Sequence, residues 1–472
     1  MIEAIALDLG TTSIKAALLD SQGQFSHLIT QPAPPMDHQH GRYESNALDY
    51  VILAEEVLRQ CTASLHTMHI KPVLGLSCQR SSFLVWERSS GQPVTPLISW
   101  QDDRGADCCD RLAMHTEAIQ KLTGLRLTAY YFAPKLSVLL RQHLDWQTKL
   151  EQGEWLTGTL DSFLIWRWTQ GKHFMTDASM AARTLLMDIH EQTWSDTLCQ
   201  WFEIPRSILP TIKPSVGLDL ALPELGLTLQ ASIGDQSAAC VAGLKQNHQA
   251  ALVNLGTGGF VIHPCTSSAL VSTGYLQTLL YQDVQRHTQF AIEGTLNSIA
   301  SALAPYPTQD CRIDDLAENE FFCLAEPSGL GAPYFCKPDP SHFPPAFTDL
   351  NPREIAALLI EAIIFRIVRI LEDFQAHSSL TAVYLSGGLS ELTCLQQGIA
   401  RCCPVPVFHL QQKEASLLGA AWLARSLEIG SLTPSLRIDE SYQLDSALYR
   451  KYLRWKNWLH TIVQPPKHIS NA

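Results

Sequence analysis

A strand–glycine turn–strand element occurs twice in this chain, and the repetition constrains the fold more than any other feature. Residues 4–20 read AIALDLGTTSIKAALLD: an apolar run carrying Asp8, a small-residue turn Gly10-Thr11-Thr12-Ser13, and a second apolar run containing Lys15. Apolar and β-branched residues on both sides of a short glycine turn specify a hairpin. Residues 250–264, AALVNLGTGGFVIHP, repeat the layout around Gly256-Thr257-Gly258-Gly259, and the Leu-Gly-Thr of 9–11 recurs at 255–257. The shared frame predicts an internal duplication, with two related domains each presenting a turn to a common cleft. Such turns can aim backbone N–H groups and hydroxyls at an anion, and Lys15 adds charge. Each copy alone also reads as a plain hairpin with a polar tip. Asp8 is costly near the end of a buried strand unless a cation, or a water bound to one, neutralises it. The element is not a P-loop, because G-x-x-x-x-G-K-[ST] is absent and no helix follows the turn.

With 472 residues the chain is long enough for two or three domains with sizeable cores. Strands, hairpins and helices alternate in both halves, which predicts an α/β fold. The expected division is an N-terminal domain over 1–243, a C-terminal domain over 244–430 and a packed tail over 431–472. A net charge of −12 with no basic stretch argues against a nucleic-acid partner. No uncharged apolar run reaches the roughly 18 residues of a membrane span, so no membrane role is expected. The chain enters a strand without a basic leader, and its 13 cysteines are odd in number with no C-x-x-C pair. Both features point to a reduced, cytoplasmic protein rather than a disulfide framework or a zinc site.

Along the chain, strands are expected over 1–30, a Pro- and His-rich loop over 31–45, and an amphipathic helix over about 46–65 with Val51, Leu58 and Leu65 on one face. Two strands follow within 72–88, then a mainly helical region over 100–215 and strand and turn over 214–234. The stretch 304–328 reads as a weakly patterned connection. Asn351-Pro352-Arg353-Glu354 is a helix start with a capping Asn, Pro at the first helical position and Glu at the third. Beyond it lie a strand at AVYLSGG, a helix around 392–401, a strand at VPVFH and a helix over 414–427.

Three further motifs could carry chemistry. Gly234-Asp235-Gln236 joins an apolar run to a small-residue helix, so Asp235 is placed either to face a cleft as a general base or simply to cap the helix. Gly387-Gly388 ends a strand and would let a flat ligand approach the backbone, or it is an ordinary β–α turn. Gln79-Arg80, with Trp100 about 20 residues on, offers donors for hydroxyls and an aromatic plane for a carbon face. A surface Arg and a core Trp are the alternative. Glu44 is a weaker loop acid.

Six segments, taken in order, resemble the FGGY carbohydrate kinases, and most closely their glycerol kinase branch. DLGTTSIK and NLGTGGFVI resemble the two phosphate motifs, and GDQSAA the segment of the catalytic base. SGGLS with EASLLGAAWLA resembles the adenosine motif, SGLGAPYF at 328–335 a family hallmark, and the run 158–186 is of the same type. The resemblance spans residues 1 to about 427. It implies two actin/hexokinase-like (ribonuclease H-like) ATPase domains around a central cleft, and an ATP- and Mg²⁺-dependent kinase for a small polyol or sugar. By the same resemblance Asp8 would hold Mg²⁺ and Asp235 would take the proton from the acceptor hydroxyl. Thr11, Thr12, Ser13, Lys15, Gly256 and Thr257 would contact phosphates, with Gly387 and Gly388 against the adenosine. Gln79, Arg80, Trp100, Tyr131, Asp235 and Gln236 would line the acceptor pocket. A homo-oligomer is compatible with the sequence. Ser81 stands where glycerol kinases carry a Glu that binds glycerol hydroxyls, and Ala300 where a Gly is usual near the nucleotide. These departures motivate an alternative, a kinase-fold protein with little or no turnover that senses sugar or nucleotide.

Overall fold

The computed structural model describes residues 2–63, 65, 73–244, 247–265, 274–344, 349–425 and 435–463. Its two main sheets share one plan. In the N-terminal half the strands Ile2–Leu9, Ser13–Asp20 and Phe25–Pro32 form an antiparallel meander. Val73–Cys78 lies parallel to the first of them, Leu227–Gly234 lies parallel to Val73–Cys78, and Val216–Leu222 closes the edge. In the C-terminal half Ala250–Leu255, Gly259–Cys265 and Thr288–Leu296 occupy the equivalent antiparallel positions, although Leu276–Gln282 comes between the last two in sequence. Ala382–Ser386 and Val407–Leu410 then add in parallel, with Leu276–Gln282 and Ser435–Arg437 at the two edges. The two hairpins and the parallel strands beside them therefore repeat between the sheets, while the C-terminal sheet carries a seventh strand, Leu276–Gln282.

Sequence logic explains the helices that cover these sheets. Asn351 accepts from the backbone N–H of Arg353 and Glu354, and Glu354 returns a bond to the Asn351 N–H, so the capping box starts the 26-residue helix Pro352–His377. Its residues from Ile355 to Val368 are buried all round, as a helix packed on two sides must be. The helix Ala47–Thr62 covers the first sheet and stops three residues short of the expected end, with Leu65 buried just beyond it.

Each half also lends a helix to the other. Ala415–Arg425, which follows the last parallel strand of the C-terminal half, lies on the N-terminal sheet, its Leu417, Leu418, Ala421 and Trp422 against Ala4, Ala6, Ala17 and Leu19. Asp235–Leu244 turns Cys240 and Leu244 toward Ala250, Leu252 and Ile262 of the C-terminal sheet. The two helices cross so closely that a Cβ on Gly419 would sit 1.9 Å from the Ala238 carbonyl oxygen, and the helix Ala415–Arg425 lies so close on the sheet that a Cβ on Gly75 of the strand Val73–Cys78 would sit 2.1 Å from that of Ala420. Only glycine allows that approach.

Two expectations need correction. The 31–45 segment is not a loop throughout: Met36–Gln39 and Arg42–Ser45 pair as a hairpin, with Gly41 supplying the positive φ of its turn. That hairpin joins a five-stranded side sheet with Phe83–Glu87, Leu97–Ile98 and Trp155–Thr159, so the two strands within 72–88 belong to different sheets. The tail, packed but with little pattern by sequence, carries a helix among its described residues. Ala447–Ile462 is a helix whose Leu448, Tyr452, Trp455 and Leu459 recur at helical spacing and enter the C-terminal core. Among the described residues no helix is long and apolar enough to cross a membrane.

Candidate active site

The tips of the two hairpins face one cavity of about 540 Å³ between the halves. Thr11 lines it from the first turn, and Gly256, Thr257 and Gly258 from the second. Both turns close through a backbone bond, Gly10 N–H to Ser13 O (3.0 Å) and Gly256 N–H to Gly258 O (2.8 Å). The second turn is one residue shorter, since Leu9 pairs with Ile14 but Leu255 with Gly259. Thr12 and Thr257 are exposed at the tips.

Arg80, Trp100, Asp235 and Gln236 line the same cavity. The strand Val73–Cys78 ends in the main sheet and Phe83–Glu87 starts in the side sheet, so the four residues between them form the junction that delivers Arg80. The Arg80 guanidinium donates to Gln236 Oε1, and its Nε lies 3.6 Å from Asp235 Oδ1. Asp235 opens its helix, and its Oδ1 accepts from the Gln236 N–H at 2.7 Å. Asp235 is the first helical residue and bonds only its neighbour's N–H, and its side chain remains 31% exposed on the cavity side. Burial raises the Asp235 pKa above the ordinary carboxylate value, and the guanidinium groups of Arg80 and Arg183 oppose that shift.

Asp8 sits at the end of its strand, 9% exposed. Its Oδ1 accepts from Ser77 Oγ at 2.6 Å, and Ser416 Oγ lies 3.4 Å from Oδ2. Burial, with Asp235 and Glu414 nearby, pushes its pKa up to about 7 against the Ser77 bond and Lys15. Lys15 pairs with Glu414 at 2.7 Å, which the sequence reading did not anticipate.

Other expected site residues fall at different depths. Gln79 is 1% exposed and stands behind the wall: its amide donates to Tyr50 Oη (3.1 Å) and accepts from Ser82 Oγ (2.9 Å). Thr11 accepts from Trp100 Nε1 at 3.0 Å, which fixes the indole edge-on to the first turn. Tyr130, rather than its neighbour Tyr131, lines the cavity, with its ring 5.3 Å from that of Trp100. Tyr131 turns away under Arg183, whose guanidinium lies 5.5 Å from its ring centroid. Lys135, fully buried, donates to Ser99 O (2.7 Å) and Tyr130 O (3.0 Å) and so ties together the segments bearing both cavity aromatics. Burial brings its pKa down to about 7. Ser81 has a φ of 65° and is fully buried, its hydroxyl donating to Arg183 O at 2.9 Å.

Gly387 supports the second turn from behind: its φ is 87°, and a Cβ there would meet Leu255 O at 2.4 Å. A Cβ on Gly388 would meet nothing within 4 Å, so that position faces open space. The remaining wall, Thr295 to Ser298 with Ser328, was not foreseen. It is fixed by Glu326, which accepts from the N–H groups of Asn297 (2.8 Å) and Gly331 (2.7 Å) and from Arg366 Nε (2.6 Å). Among the described residues no group of three or more His, Cys, Asp or Glu side chains could hold a metal unaided.

The model of the N-terminal domain of the FGGY family of carbohydrate kinases matches residues 3–222, and that of its C-terminal domain matches residues 251–426. The chain belongs to this family. It is a carbohydrate or polyol kinase. A glycerol kinase from Dechloromonas aromatica is 31% identical, covering 99% of this chain and 98% of its own. An apulose kinase from Pectobacterium atrosepticum is 29% identical over 96% of each. Among solved structures, Plasmodium falciparum glycerol kinase with ADP matches with a TM-score of 0.85 at 22% identity, covering 98% of this chain and 99% of that one. A xylulose kinase from Rhodospirillum rubrum gives 0.82 at 18%, covering 97% and 98%. These FGGY kinases share the fold, and their names span different acceptors.

Proposed function

We propose that the chain transfers the γ-phosphoryl group of ATP to a hydroxyl of a small polyol or sugar, with Asp235 as general base. The observation that supports this reading is that Asp235, Arg80 and Trp100 share one cavity with both glycine turns. Phosphoryl transfer depends mainly on positioning and on charge stabilisation. Thr12 and Thr257, exposed at the tips of the turns, suit phosphate oxygens, and the open space at Gly388 suits a nucleoside. Arg80, Gln236 and the Trp100–Tyr130 pair suit a hydroxylated carbon chain. The acceptor hydroxyl passes its proton to the Asp235 carboxylate as the hydroxyl oxygen bonds to the γ-phosphorus and the bond from that phosphorus to the bridging oxygen of the β-phosphate breaks, releasing ADP.

The residues around Asp8 fit Mg²⁺. A buried carboxylate whose pKa stands near 7 is short of positive charge, and Mg²⁺ characteristically binds one or two carboxylates together with phosphates and water. When bound, the ion neutralises charge on the phosphates. Asp8 would hold it, directly or through water, with Ser77 fixing the carboxylate.

The test is ADP release with Mg·ATP over glycerol, xylulose and apulose, the acceptors that relatives' names supply. Turnover with one or more supports the reading. Tight binding of an acceptor without any ADP release would overturn it in favour of a sensor.

A further inference from the structure

One buried ion pair crosses the boundary between the halves. Arg183 Nη1 lies 3.4 Å from Glu293 Oε2, and the two side chains are 4% and 2% exposed. Arg183 follows the short helix Ala178–Ala181 of the N-terminal half, and Glu293 lies on the strand Thr288–Leu296 of the C-terminal half. The pair is under-satisfied: Arg183 Nε and Glu293 Oε1 are buried without hydrogen-bond partners. A buried pair of this kind gives little net stability and can often be replaced by apolar residues without loss. Its place in the molecule therefore calls for another explanation.

Both partners sit at nodes. On the acceptor side, the Arg183 carbonyl accepts from Ser81 Oγ (2.9 Å), next to Arg80. Its helix is capped by Asp177, and Ser179 Oγ accepts from the Gly234 N–H at 2.9 Å, one residue before Asp235. The segment thus bonds the Ser81 hydroxyl, next to Arg80, and the Gly234 N–H, next to Asp235. On the other side, Glu293 is two residues from Thr295 on the same strand face, where Thr295 to Ser298 form the far wall of the cavity. Around the pair the halves meet through apolar contacts, Leu279 and Phe290 against Ala178 and Ala181.

We propose that Arg183 and Glu293 are positioning residues that set the distance across the cleft between the acceptor wall and the phosphate wall. The pair acts as a strut. Its ends are fixed to the segments carrying Asp235 and Arg80 on one side and Thr295–Ser298 on the other, so a shift at either wall reaches the other. In-line transfer is sensitive to such spacing, where a displacement of about 1 Å can cost on the order of 100-fold in rate.

The inference rests on the kinase reading for its catalytic consequence, and the experiment separates the two. The double variant Arg183→Met with Glu293→Leu removes both charges at similar volume. The expected result is a thermal midpoint close to wild type, KM for ATP within a few-fold, and kcat lowered roughly 10- to 100-fold. The single variants Glu293→Gln and Arg183→Lys, which keep shape, serve if the double variant folds poorly, and they should lower kcat in the same direction. A second readout needs no turnover: amide exchange over residues 178–186 with and without Mg·AMP-PNP. Nucleotide should protect that segment in the wild type and not in the double variant. Unchanged kcat, equal protection in both proteins, or no protection in the wild type would overturn the strut. Protection in the wild type without phosphorylation of any acceptor would overturn the kinase reading and leave the strut standing.

Discussion

Asp235 is subject to opposed influences, burial raising its pKa and two guanidinium groups lowering it. A general base works only when ionised, so activity should fall as pH drops through a value above the ~3.9 of an ordinary aspartate. Replacing Arg80 by Met should move the acid limb of the kcat/KM profile further up, because the guanidinium that favours the carboxylate is gone. Asp235→Asn should lower kcat by ~10²–10⁴-fold, measured as ADP release at saturating acceptor. Near-normal turnover in that variant would sink the assignment. At this scale the sequence was informative about residue type and poor about depth. Gln79 and Arg80 are adjacent, yet one braces Tyr50 and Ser82 behind the wall and the other faces the cavity. Tyr130 and Tyr131 cannot be told apart until it is known that the helix starts at Phe132, which turns consecutive side chains in different directions.

Turns and helices define the next level. The turn at Gly387 presses on the end of the strand Ala250–Leu255, and its positive φ excludes other residues without strain. Gly387→Ala should cost about 1–3 kcal/mol and raise the KM for ATP more than that for the acceptor, read by thermal melting and initial rates. The helix Ala447–Ile462 is a second case. Trp455 is 1% exposed, donates to Cys323 O at 3.2 Å, and packs beside Tyr452 and Phe365. Trp455→Ala should destabilise by about 3–5 kcal/mol in chemical denaturation while leaving both KM values little changed. The apolar positions of this helix were readable by period. They were obscured by Lys451, which shares the buried face and pairs with Glu361 at 2.6 Å, so a charge stands where the pattern calls for a hydrophobe.

For the whole molecule, the duplication was legible because each hairpin announces itself within one short stretch of sequence. The exchange of helices was not, since the small-residue faces of GDQSAACVAG and ASLLGAAWLA suit any close-packed surface. That exchange bears on how the chain is made. The N-terminal sheet is complete once residue 234 has been synthesised, yet the helix that covers Ala4, Ala6 and Ala17 arrives only with residues 415–425. During synthesis the first half must wait with an alanine-lined face uncovered. A fragment of residues 1–243 made alone should stay aggregation-prone and bind a hydrophobic dye, and co-expression with residues 244–472 should suppress both. An early stop codon anywhere before residues 415–425 would therefore leave neither half usable, even though the two share one architecture.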